Sequence, residues 1–204
     1  MTIRLHRGDL PDLSAYGAVV AIDTETLGLN PNRDRLCVVQ LSPGDGSADV
    51  VQFRVGEPHA PNLVALLRDP KRIKLFHFAR FDLAVLCKTF GVMPEPVYCT
   101  KVASKLARTY TDKHGLKDIV KELLGHDLSK QQQSSDWGAE NLSEAQVAYA
   151  AADVLHLHAL KERLDQMLAR EGRAEFAAAC FRFLPIRARL DLAGFADVDI
   201  FAHT

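Results

Sequence analysis

Between Ala145 and Leu160 the chain carries a single formally charged side chain, Asp153, inside a stretch that otherwise reads as an apolar helix. A helix this apolar must be largely buried, and a lone carboxylate within it is costly unless it is paired, metal-bound or protonated through a raised pKa. The fold therefore has to answer Asp153, either with an arginine in a structural ion pair or with a cation from outside the chain. Tyr149 lies one turn earlier on the same face. Ser143 with Gln146 makes a capping-box start for a helical stretch that runs to about Ala169.

Two further sites place acids beside apolar segments. The run Gly17-Ala-Val-Val-Ala-Ile-Asp23 suits a strand buried on both faces, and period-two geometry puts Asp23 and Glu25 on one face at its end. Asp82 follows a short strand at Ile73 to Phe76 and sits early in a helix over Ala79 to Phe90, next to Val85 and Leu86 on the apolar side. Each has a plainer reading. Asp-x-Glu also suits a strand end running into a solvated turn, and Asp82 a helix-start acid favoured by the macrodipole.

The remaining pattern supplies a frame for these acids. Strands over Arg35 to Leu41 and Ala48 to Phe53 flank the turn-forming Ser42-Pro-Gly-Asp-Gly-Ser47, which predicts an antiparallel hairpin. Leu63, Leu66 and Leu67 give a helix between Pro61 and Pro70, and further helices are expected over Lys101 to Ala107 and Leu116 to Leu124. Leu128 to Gly138 reads as an exposed loop. Phe176, Cys180, Phe183 and Ile186 have helical spacing, with Pro185 expected to kink or divide that helix. The whole predicts an α/β fold, a mixed sheet covered by helices.

At 204 residues the chain fits one domain, taken here as 1–204, with the motif-bearing part about 17–168 and a C-terminal helical tail over 171–204. A formal net charge of -1 neither supports nor excludes nucleic acid. The four cysteines are scattered without zinc or redox spacing, which points to reduced thiols. Six of the eight histidines, His6, His59, His126, His156, His158 and His203, read as ordinary surface or packed residues. There is no signal core at the N-terminus and no apolar run near the roughly 20 residues that span a membrane. The expectation is a soluble, cytoplasmic protein that uses no membrane.

Carboxylate oxygens without histidine or thiolate partners are hard ligands that favour Mg2+ or Mn2+ over zinc. Two such ions about 3.5–4 Å apart can activate water, hold a scissile phosphate and stabilise a leaving 3′ oxygen. Asp23 could bridge both, Glu25 and Asp153 complete one site, Asp82 support the other, and Tyr149 orient the attacking water.

Asp23-Thr-Glu25 followed by Thr26-Leu27-Gly28, then His77-Phe-Ala-Arg-Phe-Asp82, then Tyr149-Ala-Ala-Ala-Asp153 together resemble, in order and context, the exonucleases named for their Asp-Glu-Asp-Asp set. Tyr149 matches their tyrosine branch, and Ala148 stands where the histidine branch has its histidine. Gly115-Leu-Lys-Asp118, Lys130 to Trp137 and Leu142-Ser-Glu-Ala-Gln146 narrow the resemblance to ribonuclease D, over roughly Ile22 to Leu160. It implies a ribonuclease H-like fold, two divalent cations, and 3′→5′ removal of nucleoside 5′-monophosphates from a single-stranded RNA end, as in RNA 3′-end trimming. The chain's end at Thr204 leaves no room for the added helical nucleic-acid-binding domains of that family, so a catalytic domain alone is expected. DNA is the alternative polymer, and a nucleic-acid-binding scaffold with an inactive nuclease fold would have lost at least one of the acids. The resemblance also implies that Leu27 wedges against the terminal base and Phe81 lines the cleft, with His77 a further substrate contact. Both Leu27 and Phe81 also suit a core. Arg108, Lys113, His114, Lys117 and Lys130 flank the site in sequence and are candidates for phosphate contact, or simply a solvated loop face.

Overall fold

The computed structural model describes residues 2–56, 58–129 and 131–203. The candidate Lys130 lies outside the described residues. The chain runs β1 (Thr2–Arg7), β2 (Val19–Thr26), β3 (Leu36–Ser42), β4 (Ser47–Gln52), α1 (Pro61–Arg68), β5 (Ile73–Phe76), α2 (Ala79–Phe90), β6 (Val97–Cys99), α3 (Thr100–Ala107), α4 (Leu116–Leu124), α5 (Glu144–Leu155), α6 (Leu157–Arg170) and α7 (Ala174–Leu190). A π-helical turn over Asp191–Phe195 follows. One six-stranded sheet has the order β1-β4-β3-β2-β5-β6. β2 pairs antiparallel with β3 and parallel with β5, and the β3–β4 hairpin is antiparallel as its turn residues require. The fold is the mixed sheet covered by helices that the pattern predicts.

β2 lies inside the sheet, and its alternation feeds two cores. Val20 and Ile22 pack into a layer with Leu83, Leu86 and Leu184, whereas Ala21 faces a layer with Ala151, Val154 and Leu157. α2 and α7 therefore cover one face, and α5 with α6 the other. By the same alternation Asp23 and Glu25 point toward the α5 side and Thr24 toward α2. β2 continues past both acids to Thr26, with a register irregularity between Glu25 and Thr26, so they lie within the strand rather than in a solvated turn.

Several expectations change. β1 is an additional edge strand, parallel to β4, whose Arg4 and His6 converge with Tyr16 on the buried Asp49. The strand β6 is three residues long, too short for period-two reading. The expected helix from Ser143 to about Ala169 divides at His156, because α5 packs against the sheet while α6 turns to pack on α3 and α4. Pro185 does not divide α7, where it is buried beside Leu184. The loop after α4 is not simply exposed. Leu128 and Trp137 are buried, and the Gln146 amide donates to Ser135 Oγ at 3.1 Å and to the Asp136 carbonyl at 3.0 Å.

Gln146 thus serves two purposes, because its Oε1 also accepts from the Ser143 backbone N–H at 2.9 Å while Ser143 Oγ accepts from Gln146 N at 3.2 Å. This capping box fixes the start of the helix that carries Tyr149 and Asp153. Ser143→Ala is expected to lower the unfolding free energy by about 1 kcal/mol. Urea titration checks this, and an unchanged midpoint would show that the helix start is held by other contacts.

Candidate active site

The acids meet where β2 ends. Asp23, Glu25 and Asp153 each offer a carboxylate oxygen within 4.8 Å of the others. Two come from one strand face and the third from α5, which packs across that face. Asp82 arrives from the opposite layer on α2, buried to 3% exposure, and its Oδ1 accepts from Thr24 Oγ1 at 2.7 Å. No arginine answers Asp153 among the described ion pairs, which leaves that acid beside two others of the same sign.

Burial and crowding set the protonation of this group. Burial, followed by the charges of Asp82, Asp153 and Glu25, holds the Asp23 carboxyl well above the ordinary carboxylate range. Burial and the Asp153 and Asp82 charges push Glu25 up to about 8. Burial raises Asp82 to about 7, against the hydrogen bond from Thr24. Burial likewise raises Asp153 to about 7, with Tyr149 working the other way. The Tyr149 phenol is itself pushed up by burial and then by Asp153 and Glu25, so it stays neutral near pH 7. A set of hard oxygen ligands that repel one another this strongly fits divalent cations.

A cleft of about 680 Å³ opens over the acids. Of the sequence candidates, Leu27, His77, Phe81, Lys117 and Tyr149 stand in its walls, together with Phe78, Lys101 and Trp137. Leu27 is 55% exposed, too open for a core residue. It lies close to Gly138, where an added Cβ would sit 2.6 Å from Leu27 Cδ2 and push the Leu27 side chain aside. Burial and the Lys101 charge push His77 down to about 3, leaving a neutral imidazole. His77 Nδ1 lies 2.9 Å from Thr100 Oγ1, which also reaches the Phe76 carbonyl, so this contact fixes the imidazole's orientation in the wall.

Other candidates are placed elsewhere. Lys113 and His114 are not among the cleft-lining side chains, where Gly115, Leu116 and Lys117 stand instead. His114 Nδ1 is engaged with Ser104 Oγ at 2.9 Å. Arg108 is fully buried and pairs with Glu122, and it donates to Ser104 Oγ and the Lys113 carbonyl, so its charge is spent inside the fold. Thr24 and Gln40 were not singled out from sequence. Gln40 Nε2 donates to Asp23 Oδ2 at 2.6 Å, and its signal was a lone amide in the apolar run Cys37-Val-Val-Gln-Leu41.

Comparison with known proteins gives the same picture. A family model described as 3'-5' exonuclease matches residues 10–169. Ribonuclease D of Gluconacetobacter diazotrophicus is 41% identical over 160 residues, covering 78% of this chain and 40% of its own length. The chain thus spans about two fifths of that curated relative's length. The structure of Brucella melitensis NrnC bound to pGG superposes with a TM-score of 0.97 at 65% identity, covering 100% of both chains. The same nuclease with bound Mg2+ gives 0.96 at 64% identity, again over 100% of both. Escherichia coli RNase D, an exoribonuclease, gives 0.74 at 28% identity over 86% of this chain and 46% of its own.

The raised acids give metal-free stability a pH slope of definite sign. Unfolded carboxylates ionise near pH 4, whereas Glu25, Asp82 and Asp153 hold their protons to about 7 or 8 in the fold. Between those limits the folded state binds more protons, so these groups make stability fall as pH rises across that window. Calorimetry in excess chelator should show the melting temperature dropping from pH 5 to pH 8, with a shallower drop in Asp23→Asn. A flat profile in the unaltered protein would discard the repulsion account.

Proposed function

The chain belongs to the 3'-5' exonuclease family, and from that premise we propose that it is a metal-dependent exoribonuclease that removes nucleoside 5′-monophosphates from the free 3′ end of short RNA. The observation that carries this reading is the convergence of Asp23, Glu25 and Asp153 at the end of β2, with Asp82 and Tyr149 beside them. All four acids are present, which disfavours an inactive scaffold. A short substrate is favoured by the likeness to NrnC, whose structure is bound to pGG, and by a cleft within the size range of small-ligand sites. RNA rather than DNA is favoured by the ribonuclease D relatives, and the His77 imidazole in the cleft wall would be the contact for a ribose hydroxyl. The four free cysteines suit the reducing cytoplasm. No described helix is long and apolar enough to cross a membrane.

In this reading Asp23, Glu25 and Asp153 would hold the divalent cations, with Asp82 as a further ligand beside them. Mg2+ or Mn2+ would suit these oxygens, and when bound such cations lower the pKa of the attacking water and offset charge on the scissile phosphate. Gln40 fixes the Asp23 carboxylate, and Thr24 fixes that of Asp82. The neutral Tyr149 phenol orients the water by hydrogen bonding instead of removing its proton. Leu27 stands as the wedge that separates the terminal base, with Phe81 along the wall.

Matched RNA and DNA oligomers, from dinucleotides upward and labelled at either end, test the assignment in Mg2+, Mn2+ and chelator. Mononucleotides with 5′-phosphates should accumulate from RNA with a free 3′ hydroxyl. Turnover in chelator, or cutting of circles, would overturn it. Asp23→Asn and Asp153→Asn should each abolish cleavage while circular dichroism stays unchanged. Tyr149→Phe keeps the ring and all four carboxylates, so turnover should fall roughly 10²–10⁴-fold with little change in RNA affinity. Wild-type turnover in that variant would make Tyr149 a packed aromatic only.

A further inference from the structure

The N-terminal turn of α2 carries both Asp82 and the aromatic wall of the cleft, yet its local sequence does not fix it. Phe78, the residue before the helix, makes no side-chain cap and adopts φ 65°, ψ 43°, a left-handed conformation that bulky residues rarely hold. Strain of this kind persists only where surrounding contacts over-determine it. One contact is the Lys101 ammonium, 4.3 Å from the Phe78 ring centroid.

The other comes from the far end of the chain. Arg80 donates from Nε to Asp191 Oδ2 at 2.5 Å, and from Nη2 to Asp191 Oδ1 at 2.8 Å and the Ala196 carbonyl at 2.7 Å. Asp191 is 8% exposed and also pairs with Arg187 at 2.9 Å. Arg187 in turn donates to the carbonyls of Phe195 and Ala196 at 2.8 and 2.9 Å. A bidentate arginine–carboxylate pair fixes orientation as well as distance. Across it, the tail, the Leu29 loop and the α2 turn enclose a second cavity of about 380 Å³, which shares Leu29, Phe78 and Phe81 with the catalytic cleft. The tail is therefore the outer support of a wall whose inner side faces the substrate.

We propose that Arg80 and Asp191 are positioning residues for the nuclease cleft: their ion pair docks the C-terminal tail onto the first turn of α2 and so sets the Phe78 and Phe81 wall against which a base rests. This rests on the exonuclease reading above. Neither residue touches the acids, and Asp82 has its own tether to Thr24 on β2. Loosening the pair should therefore disturb binding of the RNA more than the chemical step.

The test compares wild type with Asp191→Asn, Arg80→Gln and the milder Arg80→Lys, all well below their melting temperatures. Two readouts are taken: amide exchange over residues 77–82, and KM and kcat on a 5′-phosphorylated RNA dinucleotide in Mg2+. Asp191→Asn and Arg80→Gln should speed exchange at 77–82 and raise KM roughly tenfold, because a contact made equally to bound substrate and transition state is lost from KM and not from kcat. kcat should change far less, and Arg80→Lys should fall between. Faster exchange confined to the tail, with wild-type KM, would make the pair a structural contact only and overturn the proposal. So would wild-type exchange at 77–82 in both stronger variants. If wild type cleaves no RNA, the exonuclease reading fails by itself, and the exchange readout still decides whether tail and turn are coupled. Should the stronger variants unfold, Arg80→Lys carries both readouts, and wild-type values in it overturn the proposal.

Discussion

Four carboxylates held within one half-buried corner is the condition on which the rest of the structure depends. Burial pushes all four upward in pKa, and repulsion adds to it at Asp23, Glu25 and Asp82, with Asp23, at the centre, affected by each of the other three. Such a corner cannot be held by flexible chain, because loops would swing the charges apart toward water. It requires a strand inside the sheet, and β2 has paired neighbours on both sides. It also requires helices packed from both faces, since Asp82 and Asp153 come from opposite layers. Stability is given up at this corner to keep the carboxylates together, an arrangement compatible with a metal site.

The elements that build the corner were readable because they obey simple periods. The apolar run ending at Asp23, the lone Asp153 in an apolar helix, and the Ser143–Gln146 capping box each carry their reason locally. The sheet's middle, the hairpin and the helices from α1 to α5 follow from the same rules, and so does the place of Tyr149 one turn from Asp153. What escaped was set by distant partners. β1 is half exposed and is held by Arg4 and His6 reaching Asp49. The helix break at His156 follows from where α5 and α6 pack, and no glycine or proline marks it.

Basic residues were the least legible class. Sequence proximity put Arg108 among the candidates for phosphate, yet the fold buries it completely against Glu122. Lys101 drew no attention in its helix but stands in the cleft wall over Phe78. A charge shows its role only through the direction in which its helix face is turned, and that direction is fixed by packing between α3, α6 and α7 instead of by any motif. Thr24 and Gln40 escaped for a related reason. Each is an ordinary polar residue whose value lies in the one acid it touches.

These placements divide the cleft into two halves with different tolerances. Asp23 and Glu25 on β2, with Tyr149 and Asp153 on α5, form a half bonded into the sheet and capped at its helix start, where small shifts are resisted. Phe78 and Phe81 at the start of α2 form the other half, supported by ion pairs to a tail with several exposed apolar residues. Asp82 belongs by sequence to the second half but is tied by Thr24 to the first. That single hydrogen bond lets an acid on a helix with a strained first turn keep the register of the strand. The aromatic wall can then shift without moving the Asp82 carboxylate away from the acids on β2 and α5.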